Sequence, residues 1–137
     1  MEMERLGIQR IMSHGEKSAA YMADAYARVR RSLGVCMAQS VGAANLAAGL
    51  QDAYLACSPV LALTGRQTQI NLQRHAYQEV DHVAPFSAVT KYSTLVDEAE
   101  QLPYFLRQAV REATTGTPGP VHLDLVGFFG QILTDLE

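Results

Sequence analysis

Ser58–Pro59–Val60–Leu61–Ala62–Leu63–Thr64–Gly65 is the stretch whose reading decides the fold. Four apolar residues follow Pro59 without a polar break and stop at Thr64–Gly65. A strand with one wet face alternates polar and apolar residues, whereas an unbroken run fits a strand covered on both faces, as in parallel sheets. Helical spacing lies immediately upstream: Ala43, Leu46, Ala47, Leu50 and Tyr54 form one apolar face after the turn Ser40–Val41–Gly42. Val35–Cys36–Met37–Ala38 is a short strand before that turn.

Further out the alternation continues. Ala19, Met22, Ala23, Tyr26 and Ala27 mark a helix from Glu16 to about Ser32, rich in Ala and Met, which favour it. Gly34 is a plausible stop. Ile8 to Ser13 reads as a first strand. Downstream, Arg66 to Arg74 is rich in Gln and Asn and reads as a loop or irregular helix. Phe86 to Tyr92 is a weaker strand candidate. Leu102, Phe105, Leu106, Ala109, Val110 and Ala113 make an amphipathic helix, with Pro103 tolerable only in its first turn. Thr117–Pro118–Gly119–Pro120 is a turn, Val121 to Leu125 a last strand, and the tail from Gly127 a short helix or disordered. Alternating strands and helices predict an α/β fold, an open and mostly parallel sheet of roughly five or six strands with helices on both faces. One domain over residues 1–137 accommodates it, with no internal repeat.

Composition narrows the function classes. The chain has 137 residues, 48% apolar and 18% charged, with a formal net charge of -3. That charge, with no Lys/Arg cluster beyond Arg28, Arg30 and Arg31, argues against a nucleic-acid partner. No apolar stretch is long enough to span a bilayer, and Met1–Glu2–Met3–Glu4–Arg5 lacks the order of a signal peptide, so no membrane partner is expected. Cys36 and Cys57 are isolated and read as reduced thiols of a cytoplasmic protein. His14, His75, His82 and His122 are scattered, which does not suggest a metal site. GxGxxG, Walker-type and GxSxG loops are absent.

In such a sheet ligands gather at the C-terminal strand ends. Three ends stand out: His14–Gly15–Glu16, Gln39–Ser40–Val41–Gly42 and Thr64–Gly65–Arg66–Gln67. Glu16 is the notable residue, a carboxylate between a strand and a helix. Apolar walls around it would disfavour its ionisation and let it hold a proton near neutral pH. The alternative is a helix N-terminal Glu stabilised by the helix dipole.

Taken in order, the segments resemble the acetolactate synthase-like group of thiamine-diphosphate-dependent enzymes, specifically their pyrimidine-binding domain. The likeness runs through Gly15–Glu16 and Ala23–Asp24–Ala25–Tyr26–Ala27–Arg28, then Gly42–Ala43–Ala44–Asn45–Leu46 and Ser58 to Gly65. It resumes at Ala76–Tyr77–Gln78–Glu79–Val80–Asp81, Thr90–Lys91–Tyr92 and Thr117 to Leu125. Nearly the whole chain is covered. The turn departs from the family's Gly–Pro–Gly–Ala–Thr–Asn, with Val41 where Pro is common and Ala44 where Thr is.

The resemblance implies that Glu16 hydrogen-bonds N1′ of the aminopyrimidine of thiamine diphosphate. That shifts the ring towards the imino tautomer, which takes the proton from C2 of the thiazolium. The cofactor then serves as electron sink for a 2-oxo acid. It implies that Gly15, Gly42 and Asn45 line the cofactor and that Gln78 and Lys91 lie on the substrate side. It further implies a partner domain or subunit holding the diphosphate and Mg²⁺, in a homo- or hetero-oligomer, and FAD in some full-length relatives. The family's initial strand and helix, its central domain and its Gly–Asp–Gly motif are not found in this sequence. The other reading is a truncated, non-catalytic interaction module.

Overall fold

The computed structural model describes residues 2–126. The chain order is α1 (Glu2–Arg5), α2 (Glu16–Arg30), β1 (Gly34–Gln39), α3 (Gly42–Leu55), β2 (Val60–Arg66), α4 (Val83–Ser87), β3 (Tyr92–Val96), α5 (Leu102–Thr114) and β4 (Val121–Val126). Single 3₁₀ turns sit at Gln69–Asn71 and Ala99–Gln101. The described strands form one sheet in the order β1-β2-β4-β3, every pair parallel. The α/β class follows as the sequence implies, with four strands among the described residues rather than five or six.

Alternation along the strands divides the core into two layers. Cys36, Val60 and Ala62 face α2 and α3 and join Ala20, Ala23, Ala27, Leu46, Leu50 and Phe86. Leu61, Val121 and Leu123 point the other way and pack on Ala109 and Ala113 of α5. The central strand β2 is therefore covered on both faces, the reason its run is unbroken. Small residues let α2 and α3 approach closely. A Cβ on Gly49 would stand 2.7 Å from Ala20 Cβ and 2.7 Å from the Lys17 carbonyl oxygen. A Cβ on Gly34 would collide with the carbonyl of Ala23.

Three boundaries differ from the sequence reading. Ile8 to Ser13 is not a strand: Ile8, Ile11 and Met12 are exposed and the segment joins no described strand. Its apolar residues are separated by Gln9 and Arg10, and a strand gains stability only from a ladder partner and a buried face. Helix α2 ends at Arg30 rather than near Ser32, and its stop is Arg31 rather than Gly34. The Arg31 N–H donates to the Ala27 carbonyl, and the left-handed φ of 51° turns the chain so that the Ser32 N–H reaches the same oxygen at 3.3 Å. Gly34 opens β1 instead.

Phe86 belongs to the helical turn α4, not to a strand. Asp81 Oδ1 accepts the Val83 N–H at 3.0 Å, and Pro85 sits in the first turn, where its missing N–H costs nothing. The strand begins only at Tyr92. Its Ser93 and Thr94 blur the hydrophobic pattern that would have announced it. The expectation for the tail from Gly127 falls outside the described residues. No described helix is long and apolar enough to cross a membrane.

Candidate functional site

Glu16 is the first residue of α2, with Gly15 as its N-cap in extended conformation. Its carboxylate lies against the start of α3, and two contacts place it. Glu16 Oε2 accepts a hydrogen bond from Asn45 Nδ2 at 3.2 Å. Glu16 Oε1 lies over Gly42, where a Cβ would stand only 2.6 Å away. No donor reaches Oε1 among the described residues. The glycine is required here by close approach, since any side chain at position 42 would displace the carboxylate. Gly15 differs, because a Cβ there would meet open space.

The turn between β1 and α3 is built around Ser40. Its backbone N–H donates to the Gly65 carbonyl at 3.1 Å, tying the ends of β1 and β2 together. Its buried hydroxyl donates to the Gln78 carbonyl at 2.7 Å. Ser40 and Gln78 both adopt left-handed φ, 48° and 63°, which marks backbone held by its surroundings. Glu16, Gly42, Asn45 and Gln78 are thus gathered at one edge of the molecule, beyond the C-terminal ends of β1 and β2. Glu16 is only half-buried and bears an amide and a glycine rather than apolar walls. The hydrophobic enclosure expected of it is not supplied by the described residues.

Lys91 is not part of this gathering. It precedes β3, where its N–H donates to the Pro120 carbonyl, at the opposite end of the sheet. Its Nζ donates to the carbonyls of Glu112, Thr115 and Thr117 at 2.7, 3.0 and 2.6 Å. A cation at the end of α5 satisfies orphan carbonyls and complements the helix dipole, a sufficient reason for this lysine.

A second polar group was not anticipated. Thr64, His82, His122 and Asp124 are all buried on the α2–α3 side of the sheet. The Thr64 hydroxyl donates to Asp124 Oδ1 at 2.6 Å, and His82 Nδ1 donates to the same oxygen at 2.9 Å. With its proton committed to Asp124, Thr64 Oγ1 must accept from His122 Nε2, 2.7 Å away. Ser93 then donates to His122 Nδ1 at 2.8 Å, so the ring is the neutral Nε2–H tautomer. Burial pushes the His122 pKa down to about 4, outweighing the nearby Asp124 charge. Phe86 stacks on the ring at 3.7 Å. The signal was present in the sequence: His122 and Asp124 stand two apart in an otherwise apolar strand and so share a face.

A shallow groove of about 650 Å³ lies elsewhere, lined by Tyr21, Asp24, Arg28, Asp52 and Leu55. It contains none of the candidate site residues Glu16, Gly42, Asn45, Gln78 and Lys91. The Asp24–Arg28 pair at its wall is bidentate, at 2.8 and 2.6 Å, and cross-links successive turns of α2.

Comparison with known proteins gives this geometry a context. Residues 1–84 match the family described as thiamine pyrophosphate enzyme, N-terminal TPP binding domain. The chain is 41% identical over 116 residues to the probable acetolactate synthase large subunit of Methanocaldococcus jannaschii, covering 84% of this chain and 20% of that protein. It is 41% identical over 120 residues to the acetolactate synthase isozyme 2 large subunit of Escherichia coli strain K12, covering 87% and 22%. Identity to the acetolactate synthase large subunit of Lactococcus lactis is 37% over 120 residues, covering 87% and 21%. The chain therefore spans about a fifth of the length of the curated relatives it matches.

Proposed function

Because the chain belongs to the thiamine pyrophosphate enzyme family, as its N-terminal TPP binding domain, we propose that it forms the pyrimidine-facing half of a thiamine diphosphate site. The site would serve an acetolactate synthase-like assembly that decarboxylates or joins 2-oxo acids. The observation that carries the reading is the meeting of Glu16, Asn45 and Gly42 at the strand ends. The residues fit that half of the cofactor. A carboxylate with one oxygen held by an amide and the other without a donor is suited to accept a hydrogen bond from a ring nitrogen that carries a proton.

When bound, thiamine diphosphate supplies the electron sink for the 2-oxo acid. The chain's own residues do the rest of the work assigned to this half. Glu16 Oε1 would accept a hydrogen bond from the pyrimidine nitrogen and favour a proton there. Asn45 fixes the carboxylate's direction. Gly42 leaves the room that Glu16 occupies, and Gly15 keeps the approach to it open. Gln78, linked to the same turn through Ser40, lies on the substrate side. A partner domain or subunit supplies the diphosphate and Mg²⁺ contacts and the apolar enclosure of Glu16. FAD, where full-length relatives use it, would be held outside this chain.

The test is calorimetry with thiamine diphosphate and Mg²⁺ on the chain mixed with a diphosphate-binding domain from an acetolactate synthase, followed by exchange of the cofactor's C2 proton. The expected result is binding that needs both components. Glu16→Gln should slow C2 exchange by about a hundredfold or more, the scale of a lost acid–base group. Absence of binding in every such mixture would overturn the proposal and favour a non-catalytic interaction module.

A further inference from the structure

Between Arg66, which ends β2, and His82, which precedes α4, no side chain is buried. Ile70 and Tyr77 in this stretch are 72% and 74% exposed, so the loop gains little from apolar packing. Arg66 and His82 themselves are only 6% and 1% exposed. Both converge on one carboxylate of the adjacent strand β4. His82 Nδ1 is 2.9 Å from Asp124 Oδ1, and Arg66 Nε is 4.0 Å from Asp124 Oδ2. Arg66 also pairs with Asp97, just beyond β3, while Thr64 holds Asp124 Oδ1 from β2.

We propose that Asp124, Arg66 and His82 form a buried clasp that closes the neck of the Gln67–Asp81 loop, making them positioning residues for Gln78. The loop's internal bonds give it shape without fastening it. Glu79 accepts the backbone N–H groups of Gln73 and Ala76, and Gln67 Nε2 donates to the Tyr77 carbonyl at 2.8 Å. Among the described residues, the side-chain ties of the loop to the body beyond the neck include Ser40 to the Gln78 carbonyl, Gln69 to Asp97 at 3.3 Å and Asp81 to the Val83 N–H at 3.0 Å. The buried neck therefore carries most of what keeps the loop's two ends together. Asp124 suits the task because its carboxylate accepts from His82 at one flank of the loop and from Thr64, two residues before the other, while the Arg66 guanidinium stands within ion-pair distance at 4.0 Å.

The role for Gln78 rests on the proposed function; the clasp itself does not. It is tested by hydrogen exchange read by mass spectrometry on the cofactor-free chain, so failure to bind cofactor leaves the test intact. His82→Leu removes the donor and is expected to accelerate exchange in peptides covering residues 67–82 by about ten- to hundredfold, the effect of losing one hydrogen bond to a charged group. Peptides from α3 and β2 should keep their protection. His82→Asn, whose amide can donate where imidazole Nδ1 did, should restore most of the loop's protection. Asp97→Asn, at the half-exposed end of the clasp, is a milder variant expected to give the same loop-confined pattern. Unchanged loop exchange, equal acceleration in every peptide, or failure of His82→Asn to restore protection would overturn the proposal.

Discussion

Lowering the pH towards 5 should destabilise this protein through one residue, His122. The ring is wholly buried, stacked on Phe86, and held neutral with Nε2–H donating to Thr64 and Nδ1 accepting from Ser93. Its pKa is about 4 in the folded chain, against 6.5 for an unperturbed histidine. The unfolded chain therefore takes up a proton at pH 6.5 that the folded chain refuses until about pH 4. The stabilisation is fully present above pH 6.5 and is lost as pH falls towards 4. Between pH 7.5 and pH 5.0 the linkage amounts to about 2 kcal/mol, and the full shift to about 3 kcal/mol. Carboxylates interfere little in that window. Burial opposes ionisation of Asp24, but its bonds with Arg28 keep its carboxyl below the usual range, and backbone N–H donors, Gln73 first, do the same for Glu79; both destabilise only at lower pH. The assay is urea unfolding followed by circular dichroism at the two pH values, on wild type and His122→Leu. The variant is expected to be less stable at pH 7.5 but to lose about 2 kcal/mol less on acidification than wild type. Equal losses in the two proteins would refute the assignment of this pH dependence to His122.

Two glycines should respond differently to the same change. Gly34→Ala drives a Cβ into backbone, with the Ala23 carbonyl carbon 2.9 Å away, and should cost about 1–3 kcal/mol or more in urea unfolding because neither element can yield. Gly42→Ala meets only the flexible end of Glu16, so the unfolding midpoint should shift little, while cofactor binding by the reconstituted pair should weaken at least about tenfold as the carboxylate is displaced. The two cysteines should also separate: burial pushes the Cys36 thiol up to about 12, whereas Cys57 is exposed. A thiol reagent such as DTNB at pH 8 should titrate one thiol in the native chain and both in urea, and rapid native reaction of both would contradict the buried placement of Cys36.

What could be read in advance followed from periodicity. Helices α2, α3 and α5 and strands β1, β2 and β4 announce themselves because each has a face or a run that must be buried. Strand β3 did not, since Tyr92–Ser93–Thr94 packs at an edge where polar residues are tolerated. Ile8 to Ser13 shows the converse, a plausible strand composition that finds no ladder to join. At the candidate site, Glu16 stood out as a carboxylate where a helix begins, whereas Gly42, Asn45 and Gln78 were singled out only through the family resemblance, their spacing alone giving no reason to choose them. The three carbonyl partners of Lys91 were not legible, because they come from residues 112–117, a contact that spacing along the chain does not disclose. The Thr64–His82–His122–Asp124 group was missed for a similar reason. Its members lie on two strands and in the loop before α4, and they meet through the pairing of β2 with β4, Thr64 opposite Asp124, and the return of His82 to that pair.

The position of Glu16 does not depend on the strand expected before it. Glu16, Ala20, Ala23 and Ala27 recur at intervals of four, three and four residues, one stripe of α2. The three alanines are buried against α3 and the sheet, so the carboxylate that continues their stripe is directed to the first turn of α3. There Gly42 leaves space for it and Asn45, three residues on, lies on the same side of the helix to receive it. Lower in the same seam Gly49 admits Ala20 and the Lys17 backbone. The separation of the two helices is thus set by small residues along its length, and that separation fixes the distance between the Glu16 carboxylate and the Asn45 amide. Helix packing and site geometry are one property of this chain, which explains how a half-exposed glutamate keeps a defined direction without a strand behind it.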